Sequence, residues 1–211
     1  MKSYDIENLK SRVRGLLSER RYLHTLGVMK MAEFLAEKCY TRKTEILKCA
    51  ALLHDITKEL SRQEQLALLS EGKIKLDEED LNSFEVIHSF TAPVYIQKEF
   101  SEYAEPEILS AVSKHTLGSP EMSVCDEIIF LSDFIEETRK YDASVSVRKY
   151  VVENMTENYS DENLSVFHNA SIMEIMHTEK HLSEKGVEIN SKNILTKNAL
   201  IDKIKNNKFK G

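Results

Sequence analysis

Glycine and proline are scarce in this sequence, which has six glycines and three prolines among its 211 residues. Average usage would supply roughly two to three times as many of these helix-breaking residues. A strand-and-turn fold depends on such residues at its turns, so their scarcity favours long helices. The length suits one domain with a substantial buried core. We therefore expect an all-α fold.

Cysteine is also rare, and Cys39, Cys49 and Cys125 are odd in number and show no CxxC spacing. This argues against a disulfide framework and a structural zinc site, and predicts reduced thiols that act as small apolar side chains. The first residues, MKSYDIENLKSRVRG, lack the apolar stretch of a signal peptide. No apolar run is long enough to span a membrane. The expected location is therefore the cytoplasm.

An excess of basic residues is missing as well, since 35 acidic residues outnumber 29 lysines and arginines and give a formal net charge of -6. Nucleic-acid-binding surfaces are normally basic, so nucleic acid is not an expected partner. An anionic small molecule remains possible, because bound divalent cations can invert the local electric field of a site.

Apolar residues recur at helical spacing along the chain. The segment 46–56 is too apolar for a surface helix and is expected to be central and buried. Ser18 precedes a helix, Ser61 and Glu64 have capping-box spacing, and Pro106 suits a first helical turn. Further helices are expected at 84–99, 122–137, 145–156, 162–184 and 191–206. We expect one domain over 1–211, with its core at about 16–198 and a polar, lysine-containing C-terminal tail.

A series of histidines and aspartates falls within or next to these apolar helical segments. Its members are His24 in RRYLHTLG, His54 and Asp55 in LLHDITKE, His88 in EVIHSF, His115 in SKHTLG and Asp133 in IIFLSDFIEETR. A carboxylate next to the most apolar helix is costly to bury without compensation, and a metal ion would supply it. A lone histidine in such a helix is more often a satisfied core residue. The complete ordered series favours a metal site.

The donors divide into two sets. His24, His54, Asp55 and Asp133 could hold one ion, while His88 and His115 could hold a second ion with Asp55 bridging the two. Facing helices of a bundle commonly build such sites. Imidazole nitrogen with carboxylate oxygen suits zinc, iron, manganese or similar ions.

Other candidate side chains carry a weaker signal. His168, His177 and His181 are interpreted as surface or core residues, because no glutamate follows His177 as a zinc-protease HExxH motif requires. Tyr22, Phe134 and Tyr141 are aromatic candidates for contacting a nucleobase, but we expect them in the core.

The segments RRYLHTLGV, AALLHDITKE, VIHS, SAVSKHTLGSPEMS and SDFIEETR resemble the HD-domain symmetrical bis(5'-nucleosyl)-tetraphosphatases, the YqeK-like family. The resemblance covers roughly residues 16–198 and is most specific in KHTLGSPEMS and DFIEETR. It implies an HD-domain helical bundle that hydrolyses diadenosine tetraphosphate to two ADP at a di-iron centre. Manganese or another divalent ion remains an alternative.

The resemblance also implies roles for single residues. The six members of the series become metal ligands, and Lys58 and Arg139 face the substrate phosphates, as does Gly118. Glu136 matches the family pattern too. The sequence departs from that pattern at Ser132, where alanine is usual, at Leu117, where threonine is usual, and at Glu137–Thr138, where Pro-Gly is usual. These departures affect the loop of Arg139 and remove no ligand.

Catalytic roles are therefore expected for Asp55, Lys58 and Arg139. Lys58 follows Asp55 by three residues and would share its face on a continuing helix. Arg139 offers a two-pronged guanidinium suited to phosphate. Two alternatives stay open: another HD phosphohydrolase acting on a nucleotide monophosphate, a guanosine polyphosphate or a cyclic dinucleotide, and a non-catalytic helical binding domain stabilised by a metal.

Overall fold

The computed structural model describes residues 3–39, 43–157 and 160–208, and over these residues it is helical with no strand. The α-helices are α1 (Ile6–Arg14), α2 (Glu19–Lys38), α3 (Thr44–Leu53), α4 (Arg62–Glu71), α5 (Glu78–Asn82), α6 (Phe84–Glu99), α7 (Pro106–Lys114), α8 (Val124–Ile135), α9 (Asp142–Asn154), α10 (Asp161–Glu184) and α11 (Ser191–Lys208). The all-α prediction is confirmed. None of the helices described combines the length and apolar character needed to cross a membrane.

The helix starts follow the local signals in the sequence. Ser18 accepts a hydrogen bond from the backbone N–H of Arg21 at the start of α2. At the start of α4, Ser61 and Glu64 form both hydrogen bonds of a capping box. Pro106 occupies the first turn of α7, where its missing N–H costs nothing. These caps fix the ends of the helices around the core.

Helix α3 lies at the centre of the bundle and packs against α1, α2, α7 and α8. Every residue from Cys49 to Leu53 is fully buried, as its apolar sequence predicts. The helix ends at Leu53, and the following residues form turns. The expectation that Lys58 continues this helix is therefore wrong. Its backbone N–H instead closes a turn onto the carbonyl of Asp55 at 2.9 Å.

The later helices lie close to their predicted positions. Helix α6 has the predicted bounds, and α8 to α11 differ from theirs by three residues or fewer at each end. Helix α11 extends beyond the expected core boundary at residue 198. Leu200 is only 1% exposed and packs with Met122, Phe130 and Ile175 in a second apolar cluster. Part of the expected polar tail is thus packed helix, and Lys203 donates to the carbonyl of Met122 at 2.9 Å.

The three cysteines are buried thiols, and no disulfide joins them in the described chain. Burial raises the pKa of the Cys39 thiol to about 12, so this thiol stays protonated and unreactive at neutral pH. The predicted role as small apolar side chains fits this environment.

Candidate metal centre

Five segments of the bundle bring the predicted donor residues to one place. The contributing positions are His24 on α2, His54 and Asp55 directly after α3, His88 on α6, His115 directly after α7, and Asp133 on α8. All four histidines and Asp55 are buried. The helices that carry these residues pack against one another, so the cluster lies in the interior of the bundle.

Asp55 lies between two pairs of histidines. Its Oδ2 atom is 3.7 Å from His24 Nε2 and 3.3 Å from His54 Nε2. Its Oδ1 atom is 3.1 Å from His88 Nε2 and 3.7 Å from His115 Nε2. One carboxylate therefore presents each of its oxygens to a different donor pair, which is the arrangement that a bridging ligand requires.

Asp133 completes the pair formed by His24 and His54. Its Oδ1 atom lies 2.9 Å from His24 Nε2 and 3.9 Å from His54 Nε2. The ligand atoms of these three residues lie close enough to one another to hold one ion. The same is true of a second group formed by His54, Asp55 and His115. The structure thus brings together all six residues that the sequence indicated.

The far nitrogens of two imidazoles fix which nitrogen faces the cluster. His54 Nδ1 lies 2.7 Å from the carbonyl oxygen of Ala51, and His115 Nδ1 lies 2.6 Å from that of Val112. A carbonyl oxygen only accepts, so each Nδ1 carries the proton and donates. The Nε2 lone pairs consequently point into the cluster, where a metal ion needs them.

Glu136 performs the same task for His24. Its Oε1 atom lies 3.0 Å from His24 Nδ1, and the carboxylate is fully buried. Thr138 donates to this carboxylate from both its backbone N–H and its hydroxyl. On the opposite side, a Cβ atom at Gly27 would overlap Glu136 Oε2. Gly27 therefore provides the space that lets the carboxylate reach the imidazole.

Two arginines compensate the carboxylates of Asp55 and Asp133. Arg21 donates to Asp55 Oδ2 at 2.5 Å, and Arg139 donates to Asp133 Oδ1 at 2.6 Å. Sequence reasoning missed Arg21, although it precedes His24 by three residues and so lies on the same helix face. Arg21 therefore supplies part of the charge compensation for Asp55 that we expected from a metal ion.

The charges around the two aspartates set their ionisation. Burial raises the pKa of Asp55, but its electrostatic interactions with His54, His115 and His88 outweigh this effect and hold the pKa well below its usual range. Burial also raises the pKa of Asp133. The charge of Arg139 is the main opposing cause, and the pKa of Asp133 is again held well below its usual range. Both groups are carboxylates at neutral pH.

The histidines differ in their protonation. Burial lowers the pKa of His24, but its contacts with Asp133 and Glu136 raise it to about 9 overall. Burial dominates at His88 and lowers its pKa to about 4 despite the neighbouring Asp55. His24 is thus charged and His88 neutral at pH 7 when no ion is bound.

Lys58 reaches the cluster from its turn. Its Nζ atom donates to the carbonyl of Glu85 at 2.8 Å and lies 3.2 Å from His88 Nδ1. Burial lowers the pKa of this ammonium group. Lys58 therefore lies behind His88, on the side of the second donor pair.

A cavity of about 240 Å³ opens beside His24. The basic side chains in its wall are Arg20, Arg21, Arg139 and Lys140. Tyr141 also lines it and is 66% exposed, so the expectation that Tyr141 belongs to the core was wrong. A cationic cavity next to a carboxylate and imidazole cluster suits an anionic ligand.

Two other aromatic candidates and Gly118 lie apart from this cavity wall. Tyr22 is buried and Phe134 is partly buried against the main core. Gly118 has a φ of +67°, and a Cβ atom there would crowd the side chain of Thr196 on α11. The positive φ and the nearby Thr196 side chain explain why residue 118 is a glycine. The contact of Gly118 with phosphate stays a prediction.

The remaining histidines lie outside the cluster. His168 is buried and its Nδ1 atom lies 2.9 Å from Glu127 Oε1, so it is a satisfied core residue. His177 and His181 line a shallow surface depression, and His181 is exposed. Their interpretation as core or surface residues agrees with these positions.

The cluster fits a pair of divalent ions. His54 Nε2 is buried and has no hydrogen-bond partner among the described residues, which is costly unless another group uses its lone pair. The donor set of neutral imidazoles and carboxylates suits transition-metal ions. His24, His54, Asp133 and Asp55 Oδ2 would hold one ion, and His88, His115 and Asp55 Oδ1 the other.

Known proteins are similar to this chain in sequence and in architecture. The HD domain family matches residues 21–138, more than half of the chain. The symmetrical bis(5'-nucleosyl)-tetraphosphatase of Halalkalibacterium halodurans is 35% identical over 138 residues, which cover 64% of this chain and 71% of that protein. The Bacillus subtilis protein of the same name is 30% identical over 191 residues, which cover 90% of this chain and 94% of that protein.

A solved structure agrees with the fold. A crystal structure of a predicted HD superfamily hydrolase involved in NAD metabolism, from Clostridium acetobutylicum, superposes with a TM-score of 0.81 at 26% sequence identity. The superposition covers 96% of this chain and all of that one. Family match, relatives and fold lead to one assignment. This chain belongs to the HD-domain family and, within it, to the symmetrical bis(5'-nucleosyl)-tetraphosphatases.

Proposed function

We propose that this protein hydrolyses diadenosine tetraphosphate symmetrically to two ADP, with two divalent metal ions and with iron as the metal. The observation that carries the proposal is the placement of Asp55, whose two oxygens face two separate histidine pairs beside a cationic cavity. The names of the relatives support the choice of substrate and cleavage position. Mixed imidazole and carboxylate donors are compatible with iron and also with manganese.

The ligands and the cations have different tasks in this reaction. Two ions, when bound, activate water and stabilise negative charge on phosphate oxygens. Asp55 would contribute one oxygen to each ion, and the Nδ1 contacts of His54 and His115 keep both imidazoles aimed inward. Because these positions are set before substrate arrives, little reorganisation is needed during the reaction.

The cationic residues act on the polyphosphate chain. Arg21 and Arg139 line the cavity and already contact the two ligand carboxylates, so each guanidinium lies where an anion enters. Arg139 can present two N–H groups to phosphate oxygens. Lys58 adds a point charge on the side of His88. Water attacks one inner phosphorus and loses its protons to solvent, while the bond from this phosphorus to the central bridging oxygen breaks. That oxygen leaves on the terminal phosphate of one ADP, and the attacked phosphate becomes the terminal phosphate of the other.

The test is direct. Purified, iron-loaded protein is incubated with diadenosine tetraphosphate, and the products are separated by chromatography. We expect ADP alone, and no product from Asp55→Ala, which lacks the bridge. Equal amounts of AMP and ATP would disprove symmetric cleavage. No turnover of any nucleotide by the fully loaded protein would instead support a non-catalytic metal-stabilised domain.

A further inference from the structure

The hydroxyl of Thr116 lies within the second donor set. Thr116 directly follows His115 in the turn after α7. Its Oγ1 atom is 3.1 Å from His115 Nε2 and 3.3 Å from His88 Nε2, and these two nitrogens are 2.9 Å apart. The three atoms thus form a nearly equilateral triangle.

The size of this triangle matches a face of a coordination shell. Two ligand atoms at right angles on an octahedral ion, each about 2.1 Å from it, are about 3.0 Å apart. The three sides of the triangle lie close to this value. Asp55 Oδ1 extends the set, since it is 3.1 Å from His88 Nε2.

The second donor set also has one protein ligand fewer than the first. The first ion position has two imidazoles, Asp133 and one oxygen of Asp55. The second has two imidazoles and the other oxygen of Asp55. A hydroxyl oxygen adds a neutral donor without adding charge.

The turn that carries Thr116 is held from both sides. Within the turn, the backbone N–H of Gly118 donates to the carbonyl of Lys114 at 2.9 Å. From outside, Asn193 and Thr196 on α11 each donate to the carbonyl of Leu117 at 3.2 Å. These contacts fix the backbone of Thr116, so its hydroxyl is directed at the histidine pair before an ion binds.

We propose that Thr116 Oγ1 is a direct protein ligand of the second metal ion. This inference rests on the two-ion site of the proposed function, but it concerns metal binding alone. It extends the predicted ligand set by one oxygen and makes the second position four-coordinate from protein donors, so the remaining positions take water or substrate oxygens.

The experiment is a titration of metal-free protein with Mn²⁺, followed by electron paramagnetic resonance, which reports free ions and coupled ion pairs separately. In Thr116→Val, which removes the hydroxyl and keeps the shape, we expect the affinity for one ion to fall by about tenfold or more, in line with losses at metal sites. The affinity for the other ion should be unchanged, and the metal-free protein should still unfold cooperatively. Thr116→Ser should restore binding.

Thr25 offers a matched control. It follows His24 as Thr116 follows His115, it is fully buried, and its hydroxyl has no hydrogen-bond partner among the described residues. Thr25→Val should bind both ions like the unmodified protein. Equal binding of both ions by Thr116→Val and the unmodified protein would overturn the inference.

A crystal structure of the Mn²⁺-loaded protein gives a second, independent measurement. An Oγ1–metal distance of about 2.1–2.4 Å supports direct ligation. A distance above about 3 Å, with water between the two atoms, overturns it. Neither experiment uses a nucleotide, so failure of the proposed hydrolysis and failure of this inference are separate results.

Discussion

Arg139 contacts Asp133 twice, through the carboxylate at 2.6 Å and the backbone carbonyl at 2.9 Å. Arginine has no lone pair for a metal at neutral pH, so its charge is expected to act on substrate. Arg139→Ala should keep both ions and lose on the order of a hundredfold in kcat/KM. Arg139→Lys should recover only part, because an ammonium group cannot form the two-pronged contact. Elemental analysis beside steady-state kinetics checks this. Loss of metal in Arg139→Ala would show that it positions Asp133 instead.

Glu136 makes a separate prediction about the first ion. Glu136→Gln weakens the acceptor for His24 Nδ1, so affinity for the first ion should fall by about 10–100-fold. Gly27→Ala should have the same effect from the opposite side, because its methyl group displaces the carboxylate. Metal titration of each variant measures the effect. Glu137→Gln, at the exposed neighbouring position, is the control, and equal affinities in all three variants would contradict the role of Glu136.

The sequence identified some residues of the site and missed others. All six donors could be identified from the sequence, because each is a histidine or aspartate within or next to an apolar helical segment. The structure places all six in one cluster. Arg21 and Thr116 carry no such mark, since an arginine beside another arginine and a threonine in a turn are ordinary surface residues. Only the packing of α2 against α3 and of α6 against α7 brings them to the site.

At the level of helices, periodicity and caps predicted most starts and ends, but not where helices separated in sequence meet. Helix α3 ends at Leu53 rather than continuing to Lys58, although no glycine or proline marks the end. Helix α11 docks on the turn after His115 through Asn193 and Thr196, a contact between distant segments that no local pattern encodes. Long-range packing decides such features.

Two glycines with the same backbone conformation test the docking of α11. Gly118 and Gly186 have φ values of +67° and +69°, so alanine at either position is strained by about 1–3 kcal/mol. A Cβ atom at Gly118 would also crowd Thr196, whereas one at Gly186 meets nothing within 4 Å. Urea unfolding should therefore show a larger loss for Gly118→Ala. Equal losses would mean that α11 adjusts freely to the added methyl group.

For the molecule as a whole, metal binding is coupled to the release of protons. The pKa of His24 is about 9 without metal, so this imidazole is charged at pH 7.5 and must lose a proton when it binds an ion. Calorimetric titration in buffers of different ionisation enthalpy should show release of about one proton with the first ion. Glu136→Gln removes one cause of the raised pKa and should release less. No release in the unmodified protein would contradict a charged His24.

The same group sets a pH dependence for the metal-free fold. Its folded pKa of about 9 lies above the unfolded value of 6.5. The stability that it contributes is therefore fully present below pH 6.5 and is lost as the pH rises through 9. Thermal unfolding of the chelated protein between pH 6 and 10 measures this loss, and His24→Gln should remove it.

When no metal is bound, the negative charge of Asp55 is compensated mainly by Arg21. Arg21 lies 2.5 Å from Asp55 Oδ2, and the side chain of Asp55 is only 3% exposed. Without ions, Arg21→Met leaves this carboxylate short of a partner and should cost about 3 kcal/mol in the free energy of unfolding. With both ions bound, the metal compensates Asp55 and the cost should fall below about 1 kcal/mol. Urea unfolding with and without chelator measures both values.

Arg20→Met is the control for that comparison, because Arg20 lines the cavity but is exposed. Its effect should be small and should not depend on metal. If Arg21→Met costs the same in both metal states, the ions do not share Asp55 with Arg21. The bridging role of Asp55, on which the two-ion site depends, would then have to be abandoned.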